Sequence, residues 1–222
     1  AIPYGGVSEA EAAMLRNTAP LTPAEEQAFI ATVLRGAEPE NTAAVTALLK
    51  AGKDPRRIID ALQVAAAELT IQTHDPSNFS MPMHCYEYCN ALGWFYDSFE
   101  HPRRLRLLYV AAMFVTMTCH HQANTGEMVE RPVAVPAGAA RLSGREILTR
   151  LDAAMLLQQA DEAQGWLRAY LDSQSDRAAL VRGLAIGSSK IGNDPHNQEI
   201  PQNMLEDFAK TRSPSRDRLL MA

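Results

Sequence analysis

Cysteine and lysine are both scarce in this chain, and it has neither a basic run nor an apolar stretch of membrane length. Three cysteines, at 85, 89 and 119, form neither a paired framework nor a zinc-finger spacing, which predicts a reducing, cytoplasmic setting. The net charge of −5, with 21 basic against 26 acidic residues, argues against a nucleic-acid partner. The most apolar stretch, Leu105 to Cys119, is shorter than the roughly 20 residues a membrane span needs. The opening residues Ala1-Ile2-Pro3-Tyr4-Gly5-Gly6 lack the charged start and apolar run of a secretory leader. No segment reads as a strand.

What is present is helix after helix. At 222 residues and 46% apolar, the chain can bury a sizeable core, and the expected fold is an all-α bundle. Ser8–Glu11, Thr22–Glu25 and Ser143–Glu146 have the spacing of capping boxes, and Asp54-Pro55 opens another helix. Leu105 to Cys119 is apolar on almost every side, which marks the central helix, ending at Cys119-His120-His121. Residues 122–142 read as a long loop, and helices follow to about 159, over 161–172 and 176–190, and from Pro201 to Lys210, with a last start at Pro214.

The chain also repeats its punctuation. Asp54, Ile59 and Leu62 fall on Asp176, Val181 and Leu184 at a shift of 122, and Asp75-Pro76-Ser77-Asn78 falls on Asp194-Pro195-His196-Asn197 at a shift of 119. This predicts N-terminal helices over residues 1–36 and a helical domain over 37–222. Within that domain, pseudo-repeated halves at about 37–122 and 160–222 would be joined by 123–159. The second copy stops at positions matching Tyr109 and Val110, so a groove is expected there for a partner, and a homo-oligomer would supply one.

Chemistry concentrates in one stretch. Residues 74–100 hold His74 and His84, two of the three cysteines, and seven of the fourteen aromatic residues. Polar ligands among bulky rings suit a metal or an aromatic substrate from which water is excluded. Three further histidines, His120, His121 and His196, fall at predicted element ends, where the seam of a bundle could gather them around a transition metal. Each taken singly is an ordinary structural histidine, and His101 is left as a surface residue. His84 with Glu87 and His196 with Glu199 are His-x-x-Glu pairs, sharing a face on a helix and making the two glutamates candidate supports behind the ligands. A dinuclear site would need more inward glutamates than Glu68 offers. Tyr86, Trp94, Phe95 and Tyr96 are the candidate rings for stacking on substrate, with plain core packing as the competing reading. Lys190 follows a run of small residues that lets another helix approach. A partly buried, neutral amine there could take up CO2 and bind metal as a carbamate. Pairing with Asp194 at the surface is the competing reading.

The segment Asn193-Asp194-Pro195-His196-Asn197-Gln198-Glu199-Ile200, followed by Arg216-Asp217-Arg218-Leu219-Leu220, resembles the all-helical questin-oxidase-like domains, which bacteria carry alone or fused to Rieske modules. His74 and Asn78 through His84 to Asn90-Ala91 are similar to that family's other histidine-bearing segment, and the likeness spans roughly residues 40–222. The resemblance implies oxygen-dependent oxidation of polycyclic aromatic ketones or quinones. It also implies, as in some relatives, a mononuclear non-haem iron held by several histidines and a carboxylated lysine. The chain has no Rieske cysteine-histidine pairs, so an external electron donor is implied, and it is far shorter than the fungal enzymes. The expectation is therefore a non-haem iron oxygenase using O2 on an aromatic or quinone-like small molecule. The alternative is a non-catalytic helical protein that binds haem, another transition metal or another ligand.

Overall fold

A computed structural model describes residues 6–73, 80–125, 132–191 and 195–222. The fold is all-α. Among the described residues there are ten α-helices, short 3₁₀ turns and no strand, only an isolated bridge between Ala19 and Lys53. They are α1 (Glu9–Met14), α2 (Pro23–Arg35), α3 (Glu38–Lys50), α4 (Pro55–Gln72) and α5 (Ser80–Ser98), then α6 (Arg106–Asn124), α7 (Gly144–Leu156), α8 (Ala160–Asp172), α9 (Arg177–Lys190) and α10 (His196–Lys210). No helix of the described residues is long and apolar enough to cross a membrane.

Local sequence explains most of the boundaries. Ser8, Thr22 and Ser143 each accept the backbone N–H three residues on, while Glu11, Glu25 and Glu146 reach back to the cap residue's own N–H. Three boundaries differ from expectation. α6 runs on to Asn124, so His120 and His121 lie inside its last turns, and the loop that follows is shorter. α10 starts at His196 and holds Pro201 near its beginning, where the missing N–H costs one hydrogen bond at the helix entrance. At Pro214 no α-helix starts, and a 3₁₀ turn forms over Arg216–Leu220 instead.

The chain divides into two compact units, residues 1–129 with 210–218 and 222, and residues 130–209 with 219–221. Within the first unit α2 packs on α3, α4 and α6.

In that first unit α6 packs against α2, α3, α4 and α5. Leu108, Tyr109, Ala111, Ala112 and Val115 are buried on it, yet Met117 is 51% exposed, so the helix is central without being enclosed on every side. Segment 210–218 lies along α2 and α4, held by two almost fully buried carboxylates. Ser213 Oγ donates to Glu26 at 2.8 Å, and the Arg212 N–H donates to Asp60 at 3.1 Å. Asp60 also meets Arg56 and Arg57; burial pushes its pKa up, and the Arg56 charge opposes that.

In the second unit α7 packs on α8 and α9. Gly165 of α8 lets the preceding loop sit on the helix, because a Cβ there would lie 2.5 Å from the Ala134 carbonyl oxygen. Gly187 of α9 likewise admits Met155, whose methyl would be 2.8 Å from an added Cβ. Some punctuation matches across the shift of 122. α3 and α8 are both 13 residues long, and Asp54 and Asp176 each cap by accepting the N–H two residues on. Gly52 and Gln174 both take positive φ. The packing partners differ, for α4 lies on α5 whereas α9 lies on α7.

Two measurements check this account. Gly165→Ala forces backbone to shift and should destabilise the protein by about 1–3 kcal/mol in urea unfolding. Lys53 Nζ, 2.6 Å from Glu25, holds that carboxyl down from 4.5 to about 2, with help from the Thr22 backbone N–H. A depressed carboxyl stabilises the fold above its unfolded pKa, and the gain is lost as pH falls from 4.5 towards 2. The melting temperature should therefore drop across that window, and Lys53→Met should flatten the drop.

Candidate metal centre

Consecutive antiparallel helices decide what meets at each end of the first unit. Arg56 at the start of α4 reaches Asp97 at the end of α5, so these two helices run in opposite directions. At the other end, Gln122 Nε2 of α6 donates 3.3 Å to Thr73 Oγ1, the residue that ends α4. The Thr73 hydroxyl passes its own proton to the Leu69 carbonyl at 2.7 Å, so one buried hydroxyl serves both helices. The C-termini of α4 and α6 and the N-terminus of α5 therefore share one end. His84 lies in the first turns of α5, and His120 and His121 lie in the last turns of α6.

All three of these histidines are exposed. His84 Nδ1 is 3.0 Å from Glu87 Oε2, as the His-x-x-Glu spacing predicts. With Nδ1–H donated to that carboxylate, a neutral imidazole keeps its Nε2 lone pair outward, the tautomer a metal ligand uses. His74 directly follows Thr73 in the chain but lies outside the described residues, as does the Asp75–Asn78 segment. Among the described residues no group of three histidine, cysteine or acidic side chains is close enough to hold a metal ion. The three cysteines are buried thiols outside any disulfide, and burial pushes the Cys119 thiol up although Arg35 opposes it.

The remaining candidates fall elsewhere. His196 and Glu199 are exposed in the first turn of α10, in the second unit. Lys190, expected to be partly buried, is exposed, with its ammonium 2.7 and 2.9 Å from the Asp152 carboxylate of α7. The small-residue run does bring another helix close at Gly187, but the lysine stem leaves that contact for solvent. The amine thus sits as a surface ion pair, with Asp152 as its partner; Asp194 lies outside the described residues. Glu68, weighed for a dinuclear site, is gripped by both ends of the Arg218 guanidinium, with Nη2 at 2.7 Å.

The four candidate stacking rings do not form one wall. Tyr86 is wholly buried, so it packs the core and has no face for a substrate. Trp94 and Phe95 are half-exposed on the outer surface, in edge-to-face contact with each other and clustered with Phe99. Tyr96 lies under the Arg104 guanidinium at 4.1 Å. Ten residues of helix, about 15 Å, separate Trp94 from His84. Nearer the histidines is a pair that sequence reasoning missed: Tyr88 and Phe114 meet edge-on with ring centres 5.8 Å apart. Tyr88 is one turn from His84 on the same face of α5, and its hydroxyl is pushed up to about 12 by burial. Phe114, Met117 and His121 share a face of α6 by the same rule. The signal was the spacing from His84 to Tyr88, hidden among seven rings in one stretch.

No family model, curated protein or solved structure matches the chain. The reading of this site therefore rests on its own residues.

The link between the helix ends is the feature to test first. Gln122→Leu removes the donor to Thr73 and should cost about 1–3 kcal/mol. In hydrogen exchange, faster protection loss should be confined to the last turns of α4 and α6.

Proposed function

We propose that this chain is a metal-dependent oxidoreductase, a non-haem iron oxygenase in its simplest form, acting on an aromatic or quinone-like small molecule at the shared end of α4, α5 and α6. The observation that carries this reading is the Gln122–Thr73 hydrogen bond. It joins Thr73, the residue before His74 in the chain, to the end of α6 that carries His120 and His121. Iron bound by imidazole ligands with open positions would supply the binding and activation of O2. The described residues alone do not make a complete ligand set, so His74 belongs to the proposal as an essential member.

The chain's own residues have separable roles in it. Glu87 holds the His84 ring by Nδ1 and leaves Nε2 outward. Tyr88 and Phe114 offer ring edges and faces along the α5–α6 seam below His84 and His121, where a flat apolar substrate could stack. Met117, half-exposed beside them, adds a deformable apolar contact. Electrons beyond those the substrate provides would come from an external donor.

Metal analysis of the purified chain is the test. Stoichiometric iron without a Soret band is expected. His84→Ala should abolish it with helical circular dichroism unchanged, and Glu87→Gln should weaken metal binding about 10–100-fold. Iron content indifferent to His84→Ala would overturn the proposal, and a Soret band would replace it with a haem-binding protein.

A further inference from the structure

At the opposite end of α5 from the histidines lies a cavity of about 560 Å³, within the range of small-molecule sites. Its walls come from α1 and the segment after it, the first residue of α4, the end of α5 and the 3₁₀ turn Pro102–Leu105. An ion pair, Glu9 to Arg103 at 3.1 Å, tethers α1 to that turn.

The polar side of the cavity is rich in donors. Arg16 Nη1 is anchored on the Ala13 and Leu15 carbonyls at 3.0 and 2.8 Å. Arg104 Nη1 is anchored on the Tyr96 and Phe99 carbonyls at 2.8 and 2.9 Å. Each guanidinium thereby caps a helix C-terminus with one nitrogen; Arg16 keeps Nε–H and Nη2–H for another acceptor, while Arg104 also meets the Tyr96 hydroxyl. His101 adds to this side. Its Nδ1 accepts the Arg103 N–H at 3.1 Å, so the neutral ring carries its proton on Nε2 and is a donor there as well. Glu100 is the one acidic residue in the lining. The other side is apolar, built from residues such as Leu15, Pro55, Pro102 and Leu105.

We infer that this cavity binds a small organic monocarboxylate, its carboxylate between Arg16 and Arg104 and its apolar body against the proline and leucine wall. The open fork of Arg16 matches a planar, two-oxygen anion, and Arg104 adds a second positive charge to the lining of the same cavity. A multiply charged phosphate suits the cavity less well, because Glu100 and the apolar wall leave part of its charge unanswered. The site begins at Tyr96, about 18 Å along α5 from His84, and stands apart from the proposed metal chemistry.

The probes are benzoate and inorganic phosphate, titrated into the full chain and followed by amide chemical shifts and calorimetry. Benzoate should saturate one site, with shifts confined to residues around 12–18 and 96–105. Arg16→Gln should weaken it by at least about tenfold, the scale of a lost charge-assisted hydrogen bond. Ala13→Trp, at an exposed lining position, should fill the cavity and abolish binding while circular dichroism stays unchanged. Phosphate should bind at least about tenfold more weakly than benzoate. Non-saturable benzoate binding, or binding that survives both substitutions, would overturn the inference. Phosphate binding as tight as benzoate would overturn the assignment to a monocarboxylate.

Discussion

A helix packed on by four others has to satisfy its polar groups from within, and the first unit depends on how α6 does so. The hydroxyl of Thr116 is wholly buried and lies 2.6 Å from the Val33 carbonyl of α2 and 3.0 Å from the Ala112 carbonyl of its own helix. It also accepts Nδ2 of Asn41 from α3 at 2.8 Å. One side chain thus ties three helices at one level, and the buried Asn41 amide, out of reach of water, finds its partner there. Tyr109 and Thr46 make a second tie at 3.0 Å two turns below, and Gln122 with Thr73 a third near the top. Because buried polar groups are costly when unpaired, these three contacts fix the height of α6 against its neighbours. The apolar side chains between them supply the bulk of the burial but do not by themselves choose a register.

With the register set, α5 becomes the element that holds the two candidate sites apart. Its first turns carry His84 and Glu87, and its last turn carries Tyr96 and the carbonyls that Arg104 caps. Gly93 lets α4 come close in between, since a Cβ there would lie 3.0 Å from the Gln63 side-chain amide. The aromatic residues that look like one cluster in sequence are thereby shared among the core, the outer surface and the α5–α6 seam. Helical geometry enforces this division, because residues eight to ten apart on one helix are more than two turns apart in space.

Local signals were legible wherever a short-range rule decides the outcome. The three capping boxes, the Asp54 cap and the His84–Glu87 pair all follow from side chains three or two residues from the groups they bond. Glu68 was read as an inward carboxylate and is one, but its partner Arg218 lies 150 residues away, and no spacing rule reaches that far. Lys190 shows the limit from the other side. Its small neighbours do mark a close helix contact, at Gly187 against Met155, yet the direction of one long side chain decided whether the amine was buried. The candidate metal residues were legible as residue types and as positions near element ends. That His84, His120 and His121 lie at one end of the first unit follows from the up-and-down order of α4, α5 and α6, while His196 and Lys190 fall in the second unit.

The amino-acid sequence by itself determined the all-α class, most helix starts and the centrality of the Leu105–Cys119 stretch. These depend on hydrogen bonds and hydrophobic periodicity within a few residues, so they are written locally. Only the tertiary structure decided that Tyr86 is core and Tyr88 lines a seam, that Lys190 faces Asp152, and that segment 210–218 lies against Glu26 and Asp60. Each of these is a choice of face or of distant partner, and such choices are made by close packing and by the cost of burying an unpaired charge. Both are properties of the assembled core, with no counterpart in any single stretch of chain.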